Sequence, residues 1–289
     1  MKWGIVFSSS TFPDPIRAAA LGEIAEEAGF DVLCSPEHIV IPVEYEAGYG
    51  FSKSGKMEKL QIVPDPLIWF AYVAARTTRI KFCTGVILLT ERNPLHTAKE
   101  AATLDYLSGG RLQLGVGSGW CKEEYEALGV SWPNRGRRLE EYIEVMRRLW
   151  SQREASFEGE FLNFKPVYSD PKPVNGTIPI HIGGSTEVAA RRAGRLADGY
   201  FPALFPNEKL YAELPKLLQY VRESAADAGR DMSKIELTSG GVRTAEEAKW
   251  FAELGVNRMT VSVRAKTVPD MRSELMRFSE EVIAKTVDL

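Results

Sequence analysis

The chain has 289 residues, 44% of them hydrophobic and 26% charged, with a formal net charge of −3. That composition supports a large core and gives no general attraction to phosphate backbones or anionic bilayers, so neither nucleic acid nor membrane is an expected partner. Cys34, Cys83 and Cys121 form no CxxC pair, and the three histidines form no HExxH or HxH arrangement, which argues against a disulfide framework, structural zinc and a catalytic metal.

In chain order, short runs rich in Val, Ile, Phe and Leu alternate with amphipathic helices, the pattern of parallel strands joined by crossovers. The first strand is predicted over Trp3 to Phe7, followed by a helix entered at Asp14-Pro15 and closed at Gly29, with Asp as cap and Pro in the first turn. The second strand, Asp31 to Cys34, precedes a long insertion from Ile39 to Pro64 and a helix entered at Asp65-Pro66. A third strand, Ile80 to Val86, leads through Asn93-Pro94 into a helix ending near Leu107, and Gly109-Gly110 turns the chain into a fourth, Arg111 to Val116.

Leu139, Tyr142, Ile143, Met146 and Leu149 recur at helical spacing between Arg135 and Trp150, so one face of that helix is buried. Ser156 to Val174 reads as an irregular excursion. The remaining units are strand Ile178 to Ile182 with a helix from Thr186, strand Gly199 to Pro202 with a helix from Asn207 to Ala228, strand Ile235 to Ser239 with a helix entered at Thr244, and strand Arg258 to Val263 with the terminal helix. Thr244 and Glu247 have capping-box spacing. About eight β-α units without a composition break favour a single α/β domain over residues 1–289, a (β/α)8 TIM barrel with insertions after strand 2 and before strand 5. In such a barrel the chemistry lies in the loops that follow the strands.

Four strand-end segments are candidates. Glu37-His38 sets an acid beside an imidazole, a pair able to orient, donate or accept a proton, or else an ordinary surface turn. Thr84-Gly85-Val86 places a glycine where a flat ring approaches the backbone, or a simple hinge. Gly115-Val116-Gly117-Ser118-Gly119-Trp120 lacks the last glycine and the context of a dinucleotide fingerprint, but it brings amides near a ligand, with Trp120 as a ring-pocket wall or a core residue. Gly183-Gly184-Ser185-Thr186 opens a helix, a natural phosphate site or a plain N-cap. His96 and His181 read as structural, and the absence of a GxSxG elbow or a Cys-His pair leaves cofactor chemistry.

Taken together, these segments resemble the luciferase-like monooxygenase superfamily, in particular its branch using the deazaflavin F420. The likeness is strongest over Asn93 to Gly129, including AKEAATLDYLSGGRLQLGVGSGWCKEEYEALG, and extends to Arg135 to Glu141, Asp170-Pro171-Lys172-Pro173 and Pro179 to Phe201. The resemblance implies an F420-dependent oxidoreductase that transfers a hydride to or from a small organic substrate, with His38 and Glu37 as the catalytic pair. It implies cofactor contacts from Thr84, Gly85, Val86, Gly117, Ser118, Gly119, Trp120, Gly183, Gly184, Ser185 and Thr186, and a cis peptide between Gly85 and Val86. The alternatives are an FMN-dependent monooxygenase and a flavin-binding barrel without turnover.

In the family's sugar-phosphate dehydrogenases a catalytic Glu follows the fourth strand. Trp120 stands there in this chain, with Glu123 and Glu124 nearby but out of register, so the resemblance gives sugar-phosphate oxidation little support. The family also implies a homodimer. A cytoplasmic location follows from the cysteine usage and from an N-terminus whose apolar run is too short for a signal peptide. The insertion from Ile39 to Pro64 is either a lid or a surface loop, and its Lys53, Lys56 and Lys59 are either solvated or partners of an anionic cofactor tail.

Overall fold

The computed structural model describes residues 1–46, 48, 56–57, 62–202 and 208–289. In chain order the elements are β1 (Lys2–Val6), α1 (Ser8–Thr11), α2 (Pro15–Glu27), β2 (Val32–Ser35), α3 (Pro66–Ala74), β3 (Lys81–Thr84), β4 (Ile87–Leu88), α4 (Pro94–Ser108), β5 (Leu112–Gly117), α5 (Lys122–Ala127), α6 (Arg135–Ser151), β6 (Ala155–Glu158) and β7 (Asn163–Val167). They continue with β8 (Ile180–Gly183), α7 (Glu187–Leu196), β9 (Gly199–Phe201), α8 (Glu208–Asp227), β10 (Glu236–Gly240), α9 (Ala245–Glu253), β11 (Arg258–Ser262) and α10 (Val268–Phe278).

The entry signals work as their chemistry dictates. Asp14 accepts from the Arg17 amide at 3.0 Å, Asp65 from Leu67 and Ile68 at 2.9 and 3.0 Å, and Asn93 from Leu95 at 2.9 Å, each with a proline in the first turn. Thr244 and Glu247 form the full capping box. Gly109 and Gly110, with φ of 71° and 83°, reverse the chain after α4 in a conformation that a side chain would oppose.

Among the described residues nine strands share one sheet, in which two-residue β4 only borders β5. The others run parallel in the circuit β1-β2-β3-β5-β8-β9-β10-β11, closed by β11 on β1 from Lys2↔Arg258 to Val6↔Ser262. The expected eight-stranded barrel is therefore present, with helices around it. The interruption before β8 is more ordered than an irregular excursion, because β6 and β7 pair as an antiparallel hairpin in which Phe157 faces Phe164. Two short helices, α1 and α5, were also not foreseen; at four and six residues they are too short to show a helical period.

Outside the strands, α6 buries Leu139, Ile143, Val145, Met146, Leu149 and Trp150 in the main hydrophobic core. Inside the barrel one layer is polar. Arg258, 1% exposed, meets Thr238 Oγ1 at 2.8 Å, Gln113 Oε1 at 2.5 Å, Glu236 Oε1 at 2.7 Å and His181 Nδ1 at 3.1 Å. Burial, reinforced by the Arg258 charge, drives the His181 pKa down to about 3, so the ring is neutral and able to accept from the guanidinium. Gly199 leaves room for that ring, since a Cβ there would overlap it. This layer opens into a groove of about 740 Å³ at the amino-terminal end of the strands, opposite the loops where barrel chemistry is built. Among the described residues no helix is long and apolar enough to cross a membrane.

Candidate active site

The carboxyl-terminal rim is shaped first by a displaced stretch of backbone. β3 stops at Thr84 and the chain resumes as β4 at Ile87, and between them the Gly85–Val86 peptide is cis, as the resemblance implied. Neighbouring strands make room through glycine. A side chain at Gly115 would strike the Thr84 carbonyl, one at Gly183 would overlap Val86, and a Cβ at Gly117 would lie 2.7 Å from Val86 Cγ2. The Thr84 hydroxyl, fully buried, donates to the Gly115 carbonyl at 2.6 Å. Thr84 and Gly117, expected to meet a cofactor, thus face the barrel wall and the Val86 side chain. Gly85, Val86, Ser118, Gly119, Trp120, Gly183, Gly184 and Ser185 are half-buried along the rim, above fully buried strand bodies.

His38 projects from the segment after β2. Its Nδ1 lies 2.7 Å from Glu124 Oε2 on α5, and the other oxygen of Glu124 accepts from the Ile39 amide at 2.8 Å and the Val40 amide at 3.3 Å. With donors on both oxygens, Glu124 is arranged as an acceptor, which assigns the proton on Nδ1 to His38 and leaves Nε2 for a ligand. The acid expected to serve His38, Glu37, is turned elsewhere. Its carboxylate accepts from the Leu88 amide at 2.7 Å and from Arg92 Nε at 2.9 Å, and Arg92 also bridges to Asp65. Burial pushes the Glu37 pKa up while Arg92 opposes it, the balance of a buried ion pair. The Glu37-His38 pair of the sequence is therefore replaced by Glu124-His38, because Arg92 and the Leu88 amide hold Glu37 while His38 reaches α5.

A third carboxyl, Glu91, sits in the 3-10 turn after β4 and is 5% exposed. Among the described residues neither of its oxygens meets a hydrogen-bond donor. Burial, then the Glu124 and Glu37 charges, raise its pKa to about 9. Gly119, with φ 67°, passes so close that a Cβ would overlap Glu91 Oε1. Tyr125 ties the surrounding turns together, its hydroxyl 2.5 Å from both Thr90 Oγ1 and the Ser118 carbonyl.

Trp120 forms a wall. Its indole meets the His38 ring edge-on at 5.7 Å between centroids and the Tyr45 ring at 5.5 Å. The insertion after β2 is thus fastened to α5, with the Glu46 amide also donating to Glu123 at 2.7 Å. Lys56, one of the candidate partners for an anionic tail, lies 4.1 Å from the centre of the Tyr45 ring and bonds the Tyr45 carbonyl. Lys53 and Lys59 lie outside the described residues.

Across the rim, β8 ends at Gly183, Gly184 turns with φ 122°, and Thr186 caps α7 by accepting from the Ala189 amide at 3.2 Å. Tyr200 donates to the Gly184 carbonyl at 2.8 Å and steadies the turn. Glu91, Arg92 and the partnership of Glu124 were missed from sequence. One signal was available: an adjacent acid and base wedged between the apolar run 86–89 and a helix cap.

Residues 4–249 match the luciferase-like monooxygenase family. An uncharacterised protein of Mycobacterium tuberculosis is 34% identical over 287 residues, covering 98% of this chain and 99% of its own length. An F420-dependent glucose-6-phosphate dehydrogenase of Gordonia bronchialis is 33% identical over 241 residues, 82% of this chain and 66% of that protein. Two solved structures share the fold. Monooxygenase RslO1 of Streptomyces bottropensis has a TM-score of 0.73 and 23% identity over 98% of this chain and 99% of that one. The F420-dependent tetrahydromethanopterin reductase of Methanopyrus kandleri has a TM-score of 0.75 and 17% identity over 98% of each chain. The chain belongs to the luciferase-like monooxygenase family and is an oxidoreductase of that fold.

Proposed function

We propose that the protein is an F420-dependent oxidoreductase that moves a hydride between the deazaflavin and a small organic substrate. The observation that carries this reading is His38, fixed by Glu124 at the strand tips and walled by Trp120, in a chain 33% identical to an F420-dependent dehydrogenase. The residues present fit a flat ring. Gly85 and Gly183 bring backbone to a half-exposed rim without side chains of their own, and Phe201 stands beside Gly85.

In this reading Gly85 and Val86 back the ring, and Ser118, Gly119 and Trp120 line its edge. Gly183 to Thr186 hold the phosphate at the start of α7, where unpaired amides and the helix dipole favour an anion. The bound deazaflavin supplies the hydride chemistry and reacts poorly with oxygen, which favours a reductase or dehydrogenase over an oxygenase. His38 gives or takes the proton at Nε2, Glu124 holds its ring and tautomer, and Trp120 with the insertion excludes water. Trp120 stands where the family's sugar-phosphate dehydrogenases carry a catalytic Glu, which favours a substrate other than a sugar phosphate.

Anaerobic turnover with reduced F420 and a panel of carbonyl and activated-alkene substrates tests the reading, followed at the deazaflavin's visible absorption. Oxidation of reduced F420 without oxygen is expected. Turnover only with reduced FMN and oxygen would assign the protein to the family's monooxygenases instead.

A further inference from the structure

We propose that Glu91 carries a proton that it donates to Glu124, and that through this bond it sets the charge felt by His38. Glu91 is then a positioning residue, acting on the imidazole only through its neighbour.

Three carboxyls, Glu37, Glu91 and Glu124, surround the turn behind His38. Glu37 is neutralised by Arg92 and holds the Leu88 amide, while Glu124 holds His38 and the amides of Ile39 and Val40. Glu91 is as buried as these two, yet among the described residues no donor reaches either of its oxygens. A buried carboxylate without a donor is costly, and a second carboxylate beside it makes it more so. One proton resolves both difficulties, because a protonated Glu91 becomes a donor and Glu124 is the acceptor beside it.

Among the described residues no cation pairs with Glu91. Glu124 and Tyr125 approach from α5, and Glu37 approaches from the segment after β2 with Arg92 committed to it and to Asp65. Arg135 and Arg138 act on Tyr125. Gly119 contributes only the space into which the carboxyl fits. The cluster beside His38 thus holds one uncompensated negative charge, at Glu124, until Glu91 ionises near pH 9, when it holds two.

The inference rests on the reading of His38 as the proton-handling group, and its test is read on the protein without cofactor. With three histidines in the chain, the His38 ring signals are assigned in NMR spectra by their loss in His38→Ala. In the wild-type protein they should show an inflection near pH 9 that is absent from Glu91→Gln, whose amide keeps the donor and cannot ionise. Infrared difference spectra at pH 7 should show a protonated carboxylic acid band in the wild type that Glu91→Gln lacks, and Glu91→Gln should keep turnover within about twofold where Glu91→Leu does not.

Absence of both the inflection and the band in the wild type overturns the proposal, and this holds even if the variants fold poorly. The inflection and band together with unchanged turnover in His38→Ala would keep the proton on Glu91 while overturning the role given to His38.

Discussion

His38 Nδ1 and Glu124 Oε2 meet at 2.7 Å although 86 residues separate them, so the imidazole at the strand tips takes its orientation from a six-residue helix on the far side of two β-α units. In the proposed reading the imidazole handles the proton, and His38→Ala should lower turnover on the order of 100-fold or more. Glu124→Gln keeps the shape but frees the tautomer, and a loss of roughly tenfold or more in kcat is expected with a smaller change in KM. Steady-state kinetics of the two variants check this, and wild-type kcat in both would remove the pair from the mechanism.

Glu37 should behave differently from His38. It is buried against Arg92 and the Leu88 amide, and removing it leaves that amide without its acceptor and Arg92 with the more exposed Asp65 and Glu100, at a cost of about 1 to 3 kcal/mol. Glu37→Ala should therefore lower the denaturation midpoint strongly, while Glu37→Ala with Arg92→Met should recover part of the loss. Urea unfolding of the single and double variants measures it. A Glu37→Ala protein of unchanged stability and abolished turnover would return Glu37 to a catalytic role.

Stability should depend on pH in two directions. Glu91 binds its proton more tightly in the folded chain, with a pKa of about 9 against an ordinary 4.5, so the folded state loses stability as pH rises across that interval. His181, at about 3 against an ordinary 6.5, must stay neutral in the barrel, so stability falls as pH drops from about 6.5 towards 3. Thermal melts over pH 4 to 9.5 should show Tm declining at both ends. The alkaline decline should be shallower in Glu91→Gln, and an identical slope in that variant would contradict the assignment.

Gly183 and Val86 form a matched pair, since a methyl at position 183 would overlap the Val86 side chain. Gly183→Ala should cost about 1 to 3 kcal/mol by overpacking, and Val86→Ala should offset much of that in the double variant. A double-mutant cycle by urea denaturation measures the coupling, and strictly additive effects would show that the two sites do not meet.

The barrel was readable because its elements announce themselves locally. Asp14-Pro15, Asp65-Pro66, Asn93-Pro94 and the Thr244-Glu247 box mark helix starts without tertiary help, and a run such as 32–34 is apolar throughout because both faces of a parallel strand are buried. The β6-β7 hairpin was not readable, since its short strands carry one aromatic each among polar residues and a proline, as loops also do. Arg258 and His181 look like ordinary strand residues until closure points them into a shared interior. The partnership of Glu124 with His38, and the donorless burial of Glu91 beside it, arise only when β5 and the turn after β4 are brought to one rim. His38 is a candidate from sequence because a strand end is where a barrel builds its chemistry.

The most direct measurement is calorimetric titration of the protein, prepared from a host lacking deazaflavin, with F420 and separately with FMN, repeated with Gly183→Ala. The account predicts saturable binding of F420, with FMN at least tenfold weaker, and a marked loss of F420 affinity in the variant because Gly183 opens the turn given the phosphate. Binding of FMN alone, or of neither cofactor by the folded wild-type protein, would contradict it.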